Sequence, residues 1–403
     1  MDQTAIEELL KTSDRVVAAV DTSFHRYLMD EIDWRDRLIC IKGARGSGKT
    51  TILRQHMKEA FGPGSDKAVY ISADDLWFAE HPLKDAVEFF DAHGFTHVFI
   101  DEIHHLGRNW SIVLKNLYDQ FPEVSIVYSG SSMLHLEAAK GDLSRRQAVY
   151  DLKGMSFREY LALEGLLTHR KLGWEELLAD HRKIAAEITG KIKILQHFSA
   201  YLDHGFYPFY REAHAQYRDR LLDVVNKVLE SDYPAIESVS QETIRTAKKM
   251  LKVLAASTPQ SPNMSELYRE LGTERNQGLK MLKSLDRAGL LALVPGKGVK
   301  LDSLSRPEKI YCDNTNLMNA LVPRIDIGVM RETYFYNQVR KNHDVEFVGI
   351  GDFQVDGKYT FEVGGKGKRF TQIAGVKDSF VVNDDVENTF GNKIPLWMFG
   401  FLY

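Results

Sequence analysis

The chain has 403 residues, 44% of them hydrophobic and 27% charged, and its formal net charge is −4. This length predicts two or three domains, and the composition is typical of a soluble globular protein. The small negative charge excludes a global attraction to nucleic acid or anionic membranes, so any such binding requires a local basic patch.

The N-terminal segment, MDQTAIEELLKTSD, is acidic and amphipathic and does not resemble a signal peptide. The chain also lacks an apolar run of roughly 18 residues, the length that a transmembrane helix needs. Its two cysteines, Cys40 and Cys312, lie far apart in apolar stretches, which argues against a disulfide framework. We therefore expect a cytoplasmic protein with no membrane partner.

Strand and helix patterns alternate from the N-terminus to about residue 156. Residues 1–35 keep the helical spacing of apolar residues and predict two helices, and a further helix is predicted at Thr51–Phe61. The predicted strands are Leu38–Ile41, Ala68–Ile71, Val98–Ile100 and Val124–Tyr128. Strands that alternate with helices imply a parallel sheet with helices on both faces.

The rest of the chain predicts three further regions. Residues 157–240 are mostly helical, and residues 241–311 combine a three-helix pattern with a glycine-punctuated, strand-like end. Residues 312–403 alternate aromatic and β-branched residues around glycine and aspartate, which predicts a small α/β or mixed-sheet domain.

A phosphate-binding loop pattern, G-x-x-x-x-G-K-[ST], lies directly between the first predicted strand and the helix after it. Its glycines allow backbone N–H groups to turn toward phosphates, and the helix N-terminus adds a positive dipole end. Lys49 would reach the β- and γ-phosphates, and the Thr50 hydroxyl would ligate magnesium. We therefore predict that ATP and Mg²⁺ bind here. The predicted nucleotide-binding residues are Gly43, Ala44, Arg45, Gly46, Ser47, Gly48, Lys49, Thr50 and Thr51.

Two acids end the third predicted strand, in the string His97-Val98-Phe99-Ile100-Asp101-Glu102. Asp101 falls where it could hold magnesium, and Glu102 where it could polarise the attacking water. The alternative is a pair of acids that cap the next helix. Because this pair follows the phosphate loop in the order that one mechanism requires, we predict an ATPase.

These motifs together resemble the AAA+ branch of the P-loop ATPases. More narrowly, the chain resembles the prokaryotic family that joins an AAA-type domain to a DUF4143-like segment. The strings that carry the resemblance are RLICIKGARGSGKTTIL, VFIDEIHHL, VSIVYSGSSMLHLE, DLSRRQAVYDLKGMSFREYL, YLDHGFYPFY and GNKIPLWMFGFLY. The resemblance implies an α/β fold class with four parts. These are a P-loop NTPase (AAA+) parallel sheet core with N-terminal helices over 1–156, a helical lid over 157–240, a winged helix over 241–311 and a small C-terminal α/β domain over 312–403.

The resemblance assigns a polar sensor to Ser129, after the fourth predicted strand. Such a side chain contacts the γ-phosphate or orients water, and the usual residue is asparagine or threonine. The neighbouring Ser131 or Ser132 could serve instead. Alternatively, these hydroxyls only cap the predicted helix Met133–Ala139.

The resemblance also places a candidate arginine finger in the string DLSRR, at Arg145 or Arg146. A guanidinium near the γ-phosphate neutralises charge that develops during transfer. A finger that acts across a subunit boundary would make the active species a homo-oligomer. The alternative is two solvated surface arginines.

In the helical segment, the string Gly205-Phe206-Tyr207-Pro208 is similar to a G-x-P lid motif. In related ATPases this motif packs on the adenine, which makes Pro208 a candidate nucleotide contact. The alternative is a loop that merely separates two helices.

Residues 243–311 have the pattern of a winged helix, with predicted helices Thr243–Ala256, Met264–Leu271 and Glu274–Ala288 before a wing at Gly289–Tyr311. The third helix of such a fold can enter the major groove of duplex DNA. The alternative is a module that only packs or contacts protein. The polar residues that this region would present to DNA are Arg275, Asn276, Gln277, Lys280, Lys283, Arg287, Lys297 and Lys300.

The C-terminal region resembles a restriction-endonuclease-like fold whose site has lost a part. That site needs an acid and then E-x-K, and here Asp352 is followed by Glu362 with Gly364 in the lysine position. Glu332 could supply a third carboxylate. The nearest lysines are Lys366 and Lys368. We therefore expect no nuclease activity and a scaffold that is retained for binding or assembly.

Two histidines, His104 and His105, follow the acidic pair. Adjacent residues on a helix point about 100° apart, so we expect a poor metal site and a position near the nucleotide.

The predicted function is magnesium-dependent ATP hydrolysis coupled to movement of the winged-helix and C-terminal domains. Two alternatives remain. One is a nucleotide-dependent switch with little turnover, and the other is an ATP-regulated DNA-binding or DNA-processing protein.

Overall fold

The computed structural model describes residues 3–130, 143–234, 239–256, 263–299 and 306–403. The chain divides into two compact units, residues 1–153 and 154–403. The boundaries expected near residues 240 and 311 both fall inside the second unit and remain predictions. Within the described residues, no helix is long and apolar enough to cross a membrane.

The first unit contains a sheet of five parallel strands in the order β2-β3-β4-β1-β5. The strands are β1 Leu38–Gly43, β2 Ala68–Ser72, β3 His97–Asp101, β4 Ser125–Gly130 and β5 Ala148–Leu152. The parallel sheet and four of its strands confirm the sequence prediction. The edge strand β5 was not predicted.

Helices connect these strands and cover the sheet. They are α1 Gln3–Ala19, α2 Leu28–Glu31, α3 Lys49–Ala60, α4 Trp77–Glu80, α5 Leu83–Ala92 and α6 Trp110–Gln120, with a short 3₁₀ helix at Ile103–Leu106. The helix after the phosphate loop begins two residues before the predicted Thr51. Phe90 of α5 is fully buried in the same hydrophobic cluster as Val98 and Ile100 of β3. Full burial of each such side chain stabilises the fold by about 1.5–3 kcal/mol.

The N-terminal half of the second unit is helical. Its helices before residue 234 are α7 Phe157–Leu163, α8 Trp174–Thr189, α9 Ile194–His204, α10 Tyr210–Ala213 and α11 Tyr217–Lys227. Ser156 begins α7 with a capping box, in which its side chain and that of Glu159 each bond the other's backbone N–H. A 3₁₀ turn at His214–Gln216 and a π-helical turn at Val228–Asp232 complete this region.

Three helices and a hairpin follow, close to the predicted positions. They are α12 Gln241–Ala256, α13 Met264–Glu270, α14 Arg275–Arg287, β6 Leu291–Val294 and β7 Lys309–Cys312. The two strands pair antiparallel. Helix α14 buries one face and exposes the other, in agreement with the helical spacing of its apolar residues.

The end of the chain forms a second five-stranded sheet of mixed direction, in the order β12-β11-β10-β9-β8. Helix α16 packs against β10, and the aromatic rings of Phe335, Phe361 and Phe399 meet in the core between them. The helices are α15 Thr315–Leu321 and α16 Ile327–Val339, with 3₁₀ helices at Phe370–Ile373 and Leu396–Phe401. The strands are β8 Val345–Glu346, β9 Phe353–Val355, β10 Tyr359–Gly364, β11 Ser379–Asn383 and β12 Lys393–Pro395.

Candidate active site

The phosphate loop joins the end of β1 to the start of α3, as predicted. Gly46 and Gly48 have φ angles of 79° and 99°, in the left-handed region that glycine adopts without strain. The Lys49 ammonium curls back into the loop and donates to the carbonyl oxygens of Gly43, at 3.0 Å, and Ala44, at 2.9 Å. The loop therefore concentrates positive charge and helix-terminal N–H groups at one place, as an anion site requires.

A buried arginine forms a hydrogen bond with the backbone of the phosphate loop. Arg26 is 4% exposed and donates to the carbonyl oxygens of Ser47, inside the loop, and Lys153, at 2.7 Å. Arg26 was not predicted as a site residue, because it lies in the connection between α1 and α2, far from the loop in sequence. Its position amid the aromatic residues of FHRYL is the one sequence signal.

Asp101 lies at the end of β3 and accepts hydrogen bonds from side chains of three other elements. Thr50 on α3 donates to Oδ2 at 2.6 Å, Tyr70 on β2 donates to the same oxygen at 3.0 Å, and Ser129 on β4 donates to Oδ1. Asp101 is only 3% exposed. A hydroxyl and a carboxylate oxygen in contact beside a phosphate loop are ligands that Mg²⁺ prefers, so these residues fit the metal.

Tyr70 was not predicted as a site residue. Its hydroxyl accepts a hydrogen bond from Arg54 at 2.9 Å, while the guanidinium also lies 4.6 Å from its ring centroid. Burial, reinforced by the negative charge of Asp101, raises the pKa of Tyr70. The hydroxyl therefore stays protonated and can donate to Asp101. A tyrosine within the apolar strand AVYIS was the available sequence signal.

Glu102 follows with left-handed backbone angles, φ 52° and ψ 42°, which are uncommon for a residue with a side chain and often occur at functional sites. Its N–H lies 3.4 Å from Ser129 Oγ, and its Oε2 lies 3.4 Å from Nδ1 of His104. The expected divergence of the two histidines was wrong, because their rings lie 4.5 Å apart on a 3₁₀ turn. Glu102, His104 and His105 each place one ligand atom within 4.8 Å of the others.

The two candidate finger arginines differ in their surroundings. Arg146 forms a two-pronged ion pair with Asp119, at 3.0 and 3.1 Å. Arg145 is exposed and makes no hydrogen bond or ion pair to the described part of the chain. The side chain of Arg145 is therefore the more exposed of the two.

Other predicted site residues lie apart from this network or beyond what the structure describes. Ser131, Ser132 and the predicted helix Met133–Ala139 lie outside the described residues. Pro208 belongs to the second unit, in the turn between α9 and α10, and its contact with adenine remains a prediction. Thr51 is exposed on the first turn of α3.

Comparison with known proteins gives two domain matches. Residues 35–161 match the family model of an AAA domain. Residues 195–328 match a domain of unknown function, DUF8612. The second match differs from the DUF4143-like segment that the sequence motifs suggested.

Similar proteins were also found. The uncharacterized protein MJ1637 of Methanocaldococcus jannaschii is 27% identical over 291 residues, which cover 68% of this chain and 60% of that protein. A DNA replication initiation factor is 17% identical, with a TM-score of 0.28, over 66% of this chain and 84% of that one. AMPPCP-bound DnaA from Aquifex aeolicus is 17% identical, with a TM-score of 0.25, over 69% and 86% of the two chains.

The chain spans about three fifths of the length of the curated protein MJ1637 that it matches. The assignment therefore depends on the AAA domain match and on the phosphate loop beside a five-stranded parallel sheet. Residues 35–161 therefore match an AAA domain and have the parallel sheet and phosphate loop of a P-loop fold.

Proposed function

We propose that the chain binds ATP and hydrolyses it in the presence of magnesium at the carboxyl edge of its parallel sheet. The observation that supports this proposal is the hydrogen-bond network of Thr50, Asp101 and Ser129 beside the phosphate loop. Thr50 and Ser129 lie 51 and 28 residues from Asp101 in sequence, yet both donate to its carboxylate. A chance glycine-rich turn would not bring these groups together.

In the proposed reaction, the loop N–H groups and Lys49 bind the β- and γ-phosphates. Thr50 and Asp101 hold Mg²⁺, which neutralises phosphate charge when it is bound. Glu102 orients a water molecule and takes its proton. To do so, the Glu102 carboxylate must turn from His104, while Ser129 keeps Asp101 and the Glu102 backbone in place.

The test compares ATP binding and phosphate release in the wild type, Lys49→Ala and Glu102→Gln. Lys49→Ala should lose both, because the phosphates lose their cation. Glu102→Gln should still bind a fluorescent ATP analogue but release phosphate at least 100-fold more slowly, as expected for loss of a general base. Glu123→Gln, an exposed acid in the same unit, is the matched control. Equal release from all four proteins would contradict the proposal.

A nucleotide switch with little turnover is a second candidate. The observation that favours it is the contact between Glu102 and His104, which occupies the proposed base. Single-turnover experiments separate the two candidates. If the wild type binds ATP but converts it no faster than Glu102→Gln, the switch is correct.

We also propose that the module of α12–α14 and the β6–β7 hairpin is a winged helix that binds duplex DNA. Arg275, Lys280 and Arg287 are exposed on α14, and Lys297 is exposed after β6. Such side chains neutralise phosphates, and each contact adds about 0.9 to the slope of log affinity against log salt.

Fluorescence anisotropy with labelled duplex DNA over a salt series tests the DNA proposal. Changing Arg275, Lys280 and Arg287 to alanine should weaken binding and reduce the salt slope by about 3 if all three contact phosphates. The matched control changes three exposed basic residues of α12, namely Arg245, Lys249 and Lys252. The same loss in both triple variants would indicate a general charge effect and contradict a specific role for α14.

The remaining parts of the proposal concern coupling. Nucleotide state would change the arrangement of the helical and C-terminal regions, with Pro208 as the lid contact to adenine. Hydrogen exchange with and without a non-hydrolysable ATP analogue tests this. Protection of residues around Pro208 that is lost in Lys49→Ala would support it, and protection confined to the first unit would contradict it.

A further inference from the structure

Three carboxylates cluster beside the terminal sheet of the second unit. Glu332 lies on α16, Asp352 lies just before β9, and Glu362 lies on β10. Their side chains are 14%, 17% and 1% exposed. In a nuclease-like fold, carboxylates in this arrangement would hold a divalent cation.

Lysine ammonium groups already pair with all three carboxylates. Lys309 on β7 places its Nζ 3.1 Å from Oε2 of Glu332 and 3.3 Å from Oδ1 of Asp352. Lys368 forms an ion pair with Glu362. The cluster therefore contains two positive charges of its own for three negative ones.

Lys368 takes the place of the lysine that is absent from the E-x-K pattern. A Cβ atom added at Gly364 would lie 2.7 to 2.9 Å from the side-chain carbons of Lys368. The stem of Lys368 thus fills the space left by glycine, and its ammonium reaches Glu362. Sequence spacing alone could not establish this contact across four residues.

Lys309 is held firmly in its position. Its side chain is 10% exposed, and its Nζ lies 5.1 and 5.3 Å from the ring centroids of Phe347 and Phe353. Cation–π attraction and the two ion pairs favour the ammonium in this position and offset the cost of its low exposure. The strand β7 fixes its backbone, because Lys309 pairs with Val294 of β6.

Other donors complete the cluster. The Tyr311 hydroxyl donates to Oε2 of Glu332, and the Val363 N–H donates to Oδ2 of Asp352 at 2.8 Å. Burial and the negative charge of Asp352 raise the pKa of Glu332, and burial raises that of Glu362. Carboxylates in such surroundings need a cation close by, and two lysines provide it.

We infer that Lys309 takes the place of a divalent cation among these carboxylates and closes the cluster to metal. The residues present therefore do not fit a bound metal ion. The cluster instead joins the β6–β7 hairpin to α16 and the terminal sheet through buried ion pairs. Removal of the ammonium alone would leave Glu332 and Asp352 facing each other without compensation, and this pair would then bind a divalent cation.

Calorimetric titration with Mn²⁺ tests the inference on Lys309→Met, which keeps an unbranched side chain but removes the charge. All proteins in the comparison carry Asp101→Asn, His104→Ala and His105→Ala, so that neither the nucleotide site nor the group of Glu102, His104 and His105 contributes. The parent should show no saturable binding, whereas Lys309→Met should bind Mn²⁺ saturably, at least tenfold more tightly than the weakest affinity that the titration detects. Adding Asp352→Asn should abolish that binding. Lys358→Met, a change at an exposed lysine of the same region, is the matched control and should behave as the parent.

Two results would overturn the inference. The first is Mn²⁺ binding to the parent as tight as to Lys309→Met, since the lysine would then exclude nothing. The second is a folded Lys309→Met, with an unchanged circular dichroism spectrum, that binds no Mn²⁺. If Lys309→Met does not fold alone, Mn²⁺ or the added change Glu332→Gln should restore a cooperative thermal transition. Failure of both to do so would equally overturn it.

Discussion

At the scale of single residues, one carboxylate organises the candidate active site. Asp101 accepts hydrogen bonds from Thr50, Tyr70 and Ser129, which come from a helix and two neighbouring strands. Hydrogen bonds to a charged group contribute about 1.5–3 kcal/mol each. The orientation of the carboxylate is therefore fixed before nucleotide and metal arrive, which is the condition for efficient electrostatic catalysis.

Ser129→Ala tests how much of that orientation depends on one hydroxyl. The fully buried Ser129 bonds Asp101 and lies within reach of the Glu102 N–H, so its loss should loosen both acids. We expect turnover to fall roughly tenfold, the equivalent of about 1.4 kcal/mol, with little change in ATP affinity. Steady-state phosphate release and nucleotide titration measure the two effects. Ser125→Ala on the same strand is the control, and undiminished turnover in Ser129→Ala would refute a positioning role.

His56 provides a pH-dependent prediction that does not depend on nucleotide. Its ring stacks on Trp34 with centroids 3.5 Å apart and packs near Phe99. Burial lowers its pKa from 6.5 to about 4. Between these two pH values the unfolded chain binds a proton at His56 that the folded chain does not. The stabilising contribution of His56 is therefore complete above pH 6.5 and is lost as the pH falls toward 4.

We expect protonation of His56 to lower the free energy of unfolding by about 1–2 kcal/mol between pH 7 and pH 5. Partial exposure of the ring keeps this effect small. Urea unfolding at the two pH values measures it. His56→Phe keeps an aromatic ring but cannot take up a proton, so its stability should fall less than that of the wild type. An equal fall in both proteins would show that other groups account for the pH dependence.

At the scale of elements, helices with a clear apolar face were predictable, whereas the half-exposed edge strand β5 was not. The three helices α12, α13 and α14 lie within two residues of their predicted bounds, because their apolar residues recur at helical spacing. Strand β5 was missed because its residues are mostly half-exposed at the sheet edge and give no buried run. The order β2-β3-β4-β1-β5 depends on contacts distant in sequence, and alternation alone cannot specify it.

The same distinction applies to the candidate site. The phosphate loop and the acid pair are each formed by consecutive residues, so their chemistry could be predicted directly from the sequence. Tyr70 and Arg26 act through contacts with other elements, and His104 through the shape of a turn, so the sequence alone could not establish their roles. The position of Lys368 against Glu362 likewise required the fold.

Gly43→Ala tests the packing between the phosphate loop and β5. A Cβ at Gly43 would lie 2.4 Å from the backbone oxygen of Leu152 and 3.1 Å from Ser47 Oγ, so the loop or the strand must move. We expect destabilisation of about 1–3 kcal/mol in urea unfolding, together with weaker ATP binding. Gly367→Ala, where an added Cβ meets nothing within 4 Å, is the control. Unchanged stability and ATP affinity in Gly43→Ala would show that the contact is easily relieved.

At the scale of the whole molecule, the proposed activities divide between the two units. The phosphate loop, Asp101 and Glu102 belong to residues 1–153. The basic face of α14 and the ion-pair cluster around Lys309 belong to residues 154–403. Each of these two groups of residues can therefore be tested by variants in one unit.

Arg145 connects the proposed chemistry to assembly. Arg146 is bound to Asp119, whereas Arg145 is exposed, so we propose Arg145 as the finger that acts in trans. Arg145→Ala should release phosphate on the order of 10³-fold more slowly, or slower still, as is typical for loss of an arginine finger. Arg146→Ala should slow phosphate release much less. The wild-type rate per subunit should also rise with protein concentration.

Mixing two inactive proteins tests whether the finger acts between subunits. Arg145→Ala keeps Glu102 and lacks the finger, while Glu102→Gln keeps the finger and lacks the base. In a mixed oligomer some sites combine the intact Glu102 of one subunit with Arg145 of its neighbour, so activity should reappear on mixing. A finger that acts within its own subunit cannot complement in this way. If the mixture stays inactive while size-exclusion chromatography shows mixed oligomers, the trans arrangement is excluded, because every geometry that it permits would be present.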